Sequence, residues 1–193
     1  MNLEILYVTL YAYLLGSVPF GLVLTKLFLN KDLRNVGSGN IGATNVLRAG
    51  KKSLGLLTLV LDGLKGYITV AATYYYFTDY IYLAALLSFL GHIFPVWLKF
   101  KGGKGIAVFL GILFAFSTNL GIIFSICWVL ILYFTRYASV SSLVSIGIIF
   151  IYSIYLENSY KVMFFFIILI IAVYTHRENI VRLKKKKENK INL

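Results

Sequence analysis

Long apolar runs, broken at intervals by short polar ones, dominate the chain. A membrane-spanning helix needs about 17–25 mostly apolar residues. Seven runs meet or approach that length: Leu3–Leu24, Leu54–Phe77, Tyr80–Leu98, Ile106–Thr118, Leu120–Thr135, Tyr137–Leu156 and Val162–Thr175. The pattern predicts an all-α, polytopic membrane protein with seven transmembrane helices. Thr25–Ser53 is the one long polar stretch in the interior, and a polar tail containing Lys184–Lys187 follows from His176. Read as a single helix, residues 106–135 would measure about 45 Å at 1.5 Å per residue, against a hydrocarbon core of about 30 Å. Ser117-Thr118-Asn119 predicts a turn that divides them. With no internal repeat, residues 1–193 read as one integral membrane domain and 176–193 as its cytoplasmic basic tail. The opening Met1-Asn2-Leu3-Glu4 is acidic, which favours a retained first span over a cleaved leader.

Composition supports lipid as the solvent. The chain is 60% hydrophobic and only 13% charged, with a mean hydropathy of +0.84, and a soluble domain of this size could not cover so much apolar surface. Charge then orients it. Of 19 Lys and Arg, a seven-span arrangement puts all but Lys161 on one side, counting Lys65 near the start of the second span. The positive-inside bias therefore predicts the N-terminus outside and the C-terminus in the cytoplasm. The same excess suits anionic lipid or an anionic substrate. Nucleic acid is an unsuitable partner, because no soluble basic domain is present to hold it. The single cysteine, Cys127, lies in an apolar run and reads as a structural thiol.

Three polar constellations fall on the predicted inner side. The first runs from Arg34 to Arg48 and contains Gly37, Ser38, Asn40, Thr44 and Asn45. Glycines there let backbone N–H groups approach a ligand, and Arg48 can grip an oxyanion with two parallel bonds. The second joins Gly91-His92-Ile93-Phe94-Pro95 to Gly102-Gly103-Lys104-Gly105, which leads into a helix. A glycine loop at a helix N-terminus offers unpaired amides to a phosphate, and Lys104 adds a full charge. It is not a nucleotide P-loop, since Gly105 replaces the required Ser or Thr. The third pairs Arg136 and Ser139 to Ser142 with His176-Arg177-Glu178-Asn179. Serines there can simply cap a helix, His176 can simply sit where a helix meets water, and Glu178 suits an ion pair better than a base. Together the three mark an anion-recognising face.

Other chemistries lack their residues. No Gly-x-Ser-x-Gly elbow and no Ser-x-x-Lys occurs, and two histidines without His-x-x-x-His spacing make a metal centre unsuitable. No cofactor is expected. A small transporter of an anionic solute and a non-catalytic lipid anchor are the competing readings. Against the transporter stands the expectation that no charged residue lies at mid-span, where transport pathways keep theirs.

The strings Gly37-Ser38-Gly39-Asn40-Ile41-Gly42-Ala43-Thr44-Asn45 with Arg48, Gly91 to Pro95 with Gly102 to Gly105, and Ser139 to Ser142 with His176 to Asn179 closely resemble those of the bacterial acyl-phosphate:glycerol-3-phosphate acyltransferases. The resemblance covers nearly the whole chain in order. It implies a multi-pass enzyme of the bacterial inner membrane whose active site faces the cytoplasm. Its partners would be glycerol 3-phosphate, acyl phosphate and membrane lipids, and it would be active as a monomer. It would acylate the sn-1 hydroxyl of glycerol 3-phosphate, giving lysophosphatidic acid and phosphate in phospholipid synthesis. By the resemblance Ser38 and Arg48 are essential, Gly102, Gly103, Lys104 and Gly105 form the glycerol-phosphate loop, Ser142, His176 and Asn179 complete the catalytic set, and Glu178 is structural. Gly37, Asn40, Thr44, Asn45 and Ser139 are expected to bind substrate. The proton could pass to His176 or to a substrate phosphate.

Overall fold

A proline stops the first helix before it has run its course. Pro19 has no N–H to continue the i→i−4 ladder, so α1 (Leu3–Ser17) ends and α2 (Phe20–Leu29) starts one turn later, with Val23 N–H donating to the Pro19 carbonyl at 3.0 Å. This computed structural model describes residues 3–155 and 159–191, and among these every regular element is helical. The others are α3 (Ala43–Arg48), α4 (Lys52–Tyr76), α5 (Ile81–Ile93), α6 (Ile106–Phe116), α7 (Thr118–Thr135), α8 (Ala138–Ile154), α9 (Ser159–Thr175) and α10 (Arg177–Lys184), with 3-10 turns at Leu33–Asn35 and before and after α5.

Among the described residues, Leu3–Leu29, Lys52–Tyr76, Thr78–Leu98 and Thr118–Thr135 are long and apolar enough to cross a membrane. A fifth candidate is α9 with α10, bent by 57°, and α6 and α8 are shorter apolar helices. The molecule is an all-helical, polytopic membrane protein. Several expected boundaries move. The first span reaches Leu29 instead of Leu24, because Leu27, Phe28 and Leu29 carry the apolar run past Lys26 until Asn30 turns left-handed at φ 51°. The polar stretch that follows contains the short helix α3. The division of residues 106–135 falls at Ser117 alone, since Thr118 and Asn119 already belong to α7. The first part of the tail is helical as α10. Leu156, the expected end of the sixth run, lies outside the described residues.

The chain forms two compact units, 1–116 and 117–193. In the first, α1 lies against α5, and α4 lies against α6, α5, α3 and α2. Lipid offers no hydrophobic drive to bring helices together, so close backbone approach at small residues replaces it. A side chain at Gly16 would collide with the Ser88 carbonyl, and one at Gly111 with the carbonyl of Gly63. The buried hydroxyls of Thr25, Thr58, Thr69 and Thr73 each donate to the carbonyl four residues back, at 2.6–2.8 Å, which satisfies them inside the bundle. In the second unit α8 packs between α7 and α9, with α10 against α9.

Candidate active site

Asn45 shapes the first constellation. It is fully buried, and its Oδ1 accepts the Ser38 N–H at 2.9 Å while its Nδ2 donates to the carbonyls of Val36 and Asn40, both 2.8 Å, and of Leu33 at 3.1 Å. One amide side chain thus ties the whole turn to α3. Gly37 must be glycine: it stands at φ 57°, and a side chain would strike Asn45 Oδ1 and touch the Arg48 stem. Ser38 is exposed at the tip, and Arg48, Thr44 and Asn40 are half-buried around it. At the entrance to this turn Asp32 caps Arg34 N–H at 3.0 Å and pairs with its guanidinium at 2.6 Å. Those hydrogen bonds from Arg34 hold the Asp32 carboxyl well below the usual carboxylate range.

The second constellation is fastened to the end of α5. Gly102 N–H donates to the Ile93 carbonyl at 2.9 Å and Gly103 N–H to the His92 carbonyl at 3.0 Å. These two amides were expected to face a phosphate. They are instead engaged with the last carbonyls of α5, which a helix end leaves without intrahelical partners. Lys104 follows the two glycines, and at the N-terminus of α6 the Gly105 carbonyl, on a residue at φ 81°, receives the Phe109 N–H at 2.8 Å. The turn preceding the loop is anchored from α1, by Tyr13 OH on the Phe94 carbonyl and by Trp97 Nε1–H on Ser17 Oγ, both 2.7 Å.

A cluster that sequence reasoning missed lies under this loop. Asp62 and Lys65, one turn apart on α4, form an ion pair of 2.8 Å with both side chains almost fully buried. Lys65 Nζ also donates to the Val18 carbonyl at 2.7 Å and to His92 Nδ1 at 2.9 Å. Charged residues do lie at mid-span, contrary to expectation. They are tolerated because they neutralise each other inside the protein. Lys65 accordingly drops out of the charges that orient the chain. An Asp and a Lys three apart on an otherwise apolar helix were the signal that could have revealed the pair.

In the second unit Ser139 and Ser142 sit on the first turns of α8. Ser142 Oγ donates to the Ala138 carbonyl at 2.8 Å and accepts Trp128 Nε1–H at 3.1 Å. His176 stands at the bend between α9 and α10 and is 2% exposed, so it does not face water as expected. Its Nδ1 bonds the Ala172 carbonyl at 2.8 Å; a carbonyl only accepts, so Nδ1 carries the proton and Nε2 is the basic nitrogen of the neutral ring. Ser139 and Asn179 meet through a tail residue that no motif indicated. Glu188 accepts from Ser139 Oγ at 3.1 Å and Asn179 Nδ2 at 2.6 Å on one oxygen, and from Arg182 Nε at 2.8 Å on the other. Burial alone would raise this carboxyl, but bonds from Arg182, then Asn179, outweigh it and hold it below its ordinary range. Glu178, by contrast, is exposed and pairs with Arg182 at 3.6 Å.

With these sites in place, the model of the glycerol-3-phosphate acyltransferase family matches residues 6–186. The chain belongs to the glycerol-3-phosphate acyltransferase family. Among similar family members, a glycerol-3-phosphate acyltransferase of Pelagibacter ubique (strain HTCC1062) is 51% identical over 191 residues, 99% of this chain and 100% of that one. One from Bradyrhizobium diazoefficiens (strain USDA 110) is 47% identical over 180 residues, 93% and 91% of the two chains. Crystal structures of the integral membrane acyltransferase PlsY (YgiH) superpose with TM-scores of 0.93 in its glycerol 3-phosphate form and 0.90 in its lysophosphatidic acid form. Identities are 38% and 36%, and each covers 98% of this chain and 96% of the other. The family match runs through both units and takes in all three constellations.

Proposed function

We propose that this acyltransferase moves a fatty acyl group from acyl phosphate to the sn-1 hydroxyl of glycerol 3-phosphate, giving lysophosphatidic acid and phosphate. The observation that carries the proposal is the 0.93 superposition on an acyltransferase crystallised with glycerol 3-phosphate. Seven spans fit the helices if α6, α8 and α9 also cross the membrane, with the N-terminus outside and α10 and the rest of the tail in the cytoplasm. The active site then faces the cytoplasm of a bacterial inner membrane, among the basic loops. Residues 1–193 act as one catalytic domain, active as a monomer.

Both substrates are phosphates and the donor is a mixed anhydride, already activated. The work left for the protein is holding two anions together in register, which is worth roughly 7–11 kcal/mol, and donors aimed at the developing oxyanion add about 2.7–4 kcal/mol each. Arg48 and Lys104 hold phosphates. Ser38, Ser142 and Asn179 fix the acceptor hydroxyl and the acyl carbonyl, while Asn45 acts by shaping the turn that carries Ser38. The remaining predicted residues, Gly37, Asn40, Thr44, Gly102, Gly103, Gly105 and Ser139, form the surrounding binding surface. The sn-1 oxygen attacks the carbonyl carbon, the bond from that carbon to the phosphate oxygen breaks, and phosphate leaves with the electron pair. The hydroxyl proton goes to His176 Nε2 or to a substrate phosphate. No acyl-enzyme is needed, and a trapped acyl-protein adduct during turnover would overturn direct attack.

The decisive assay is purified protein with acyl phosphate and radiolabelled glycerol 3-phosphate. Labelled lysophosphatidate is the expected product. Uptake of label into sealed vesicles without that product would establish the transporter instead.

A further inference from the structure

Lys65 Nζ is held from three sides: it forms an ion pair with Asp62 Oδ1 at 2.8 Å, donates to the Val18 carbonyl at 2.7 Å and donates to His92 Nδ1 at 2.9 Å. The Phe20 ring stands 5.8 Å from the same nitrogen. The lysine is 2% exposed and lies within a candidate span. Because Lys65 can only donate, His92 Nδ1 must accept, and the ring proton lies on Nε2. Nε2 points at Gly103: a side chain on that glycine would overlap it. His92 therefore meets Gly103 twice, with its ring and with the carbonyl that receives the Gly103 N–H at 3.0 Å.

We propose that Lys65 is a positioning residue for the acylation: anchored on Asp62 and Val18, it locks His92 in the Nε2–H form beneath Gly103 and so fixes the Gly102–Gly105 loop in its phosphate-ready shape. Lys65 touches no substrate and acts only through His92. The proposal rests on the reading of that loop as the glycerol-phosphate site. It also explains why a charge pair is kept where apolar residues would be easier to bury. Packing alone needs no acceptor on His92, whereas orienting the ring does.

Two measurements on the full-length protein in nanodiscs decide it. The first is kinetic. Lys65→Met leaves Asp62 buried without its counter-charge, so the double variant D62N/K65M carries the test, with its folding checked by thermal unfolding. We expect KM for glycerol 3-phosphate to rise between about tenfold and a hundredfold, with kcat and the KM for acyl phosphate little changed. A folded double variant with an unchanged KM, or with both KM values raised equally, overturns the proposal. The second is spectroscopic and needs no variant at Lys65. Only two histidines exist, and a His176→Gln sample identifies the His92 signals in 15N and 13C spectra. The expected signature is protonated Nε2 with a hydrogen-bonded, unprotonated Nδ1, whereas a proton on Nδ1 overturns the proposal. If Lys104→Ala leaves the KM for glycerol 3-phosphate unaltered, it is the loop assignment that fails, and the His92 signature is unaffected by that result.

Discussion

His92, in the amino-terminal unit, accepts at Nδ1 from a buried ammonium, while His176, in the carboxy-terminal unit, donates from Nδ1 to the carbonyl of Ala172. The same side chain is thus set in opposite tautomers. Both rings are nearly inaccessible, at 4% and 2% exposure, so burial does not distinguish them; the partner of Nδ1 does. In one unit the imidazole aims a proton at a glycine loop and behaves as scaffold. In the other Nδ1 is the donor to a backbone carbonyl, so Nε2 is the atom to which the proposed reaction would deliver a proton. A histidine's role here is written in its hydrogen-bond partner, not in the motif around it.

The largest way to break this comparison is at His176. If it is the base, His176→Ala lowers kcat by roughly 10²–10⁴-fold while KM for glycerol 3-phosphate changes little. A retained kcat would assign the proton to a substrate phosphate and make both histidines structural. Next is Lys104→Ala, which removes a charge from the loop that His92 supports. Loss of about 3 kcal/mol of phosphate binding corresponds to a KM raised roughly 10²-fold, and an unchanged KM at normal rate removes Lys104 from the phosphate site. Third, Gly111→Ala forces α6 away from the Gly63 backbone of α4, the helix that carries Lys65. Overpacking of this kind costs about 1–3 kcal/mol, and thermal unfolding should show it.

The smallest effect concerns the tail. The folded Glu188 carboxyl lies below its unfolded value, so its contribution to docking is complete above the ordinary carboxylate range and disappears as pH falls through the lowered one. Glu188→Gln should cost roughly 1 kcal/mol and abolish that pH dependence. Hydrogen exchange at the Ile191 amide, bonded to the Arg136 carbonyl at 2.8 Å, reports it. Equal pH responses in the two proteins would assign docking to other groups.

What the sequence made legible was local. Apolar runs disclose helices because each run satisfies its own backbone, and contiguous strings such as Gly102-Gly103-Lys104-Gly105 can be read without knowing their neighbours. The two networks that organise the constellations were illegible for the converse reason. Lys65 meets His92 27 residues on and Val18 47 residues back, and Ser139 meets Glu188 across 49. In a one-dimensional charge count Lys65 looks like one more interfacial cation. Only folding shows that Asp62 cancels it. The extension of the first span to Leu29 was missed for a smaller reason: Lys26 looked like a boundary, although a lysine stem can run along a helix and leave its head at the interface.

The bond from Lys65 to Val18 also bears on what it costs to hold charge inside the membrane. Asp62 and Lys65 stand close to the middle of α4, and an ionised side chain there costs about 2.5–3.5 kcal/mol on insertion. Their mutual pairing removes part of that cost within α4 itself. The hydrogen bonds of the ammonium group are made outside α4, to the carbonyl beside Pro19 and to His92 on α5. The polar groups of the second span are therefore satisfied only with the first and third alongside it. The cost of the charges on α4 is thus met by three helices together, and the contacts that meet it include the one to His92 under the glycine loop.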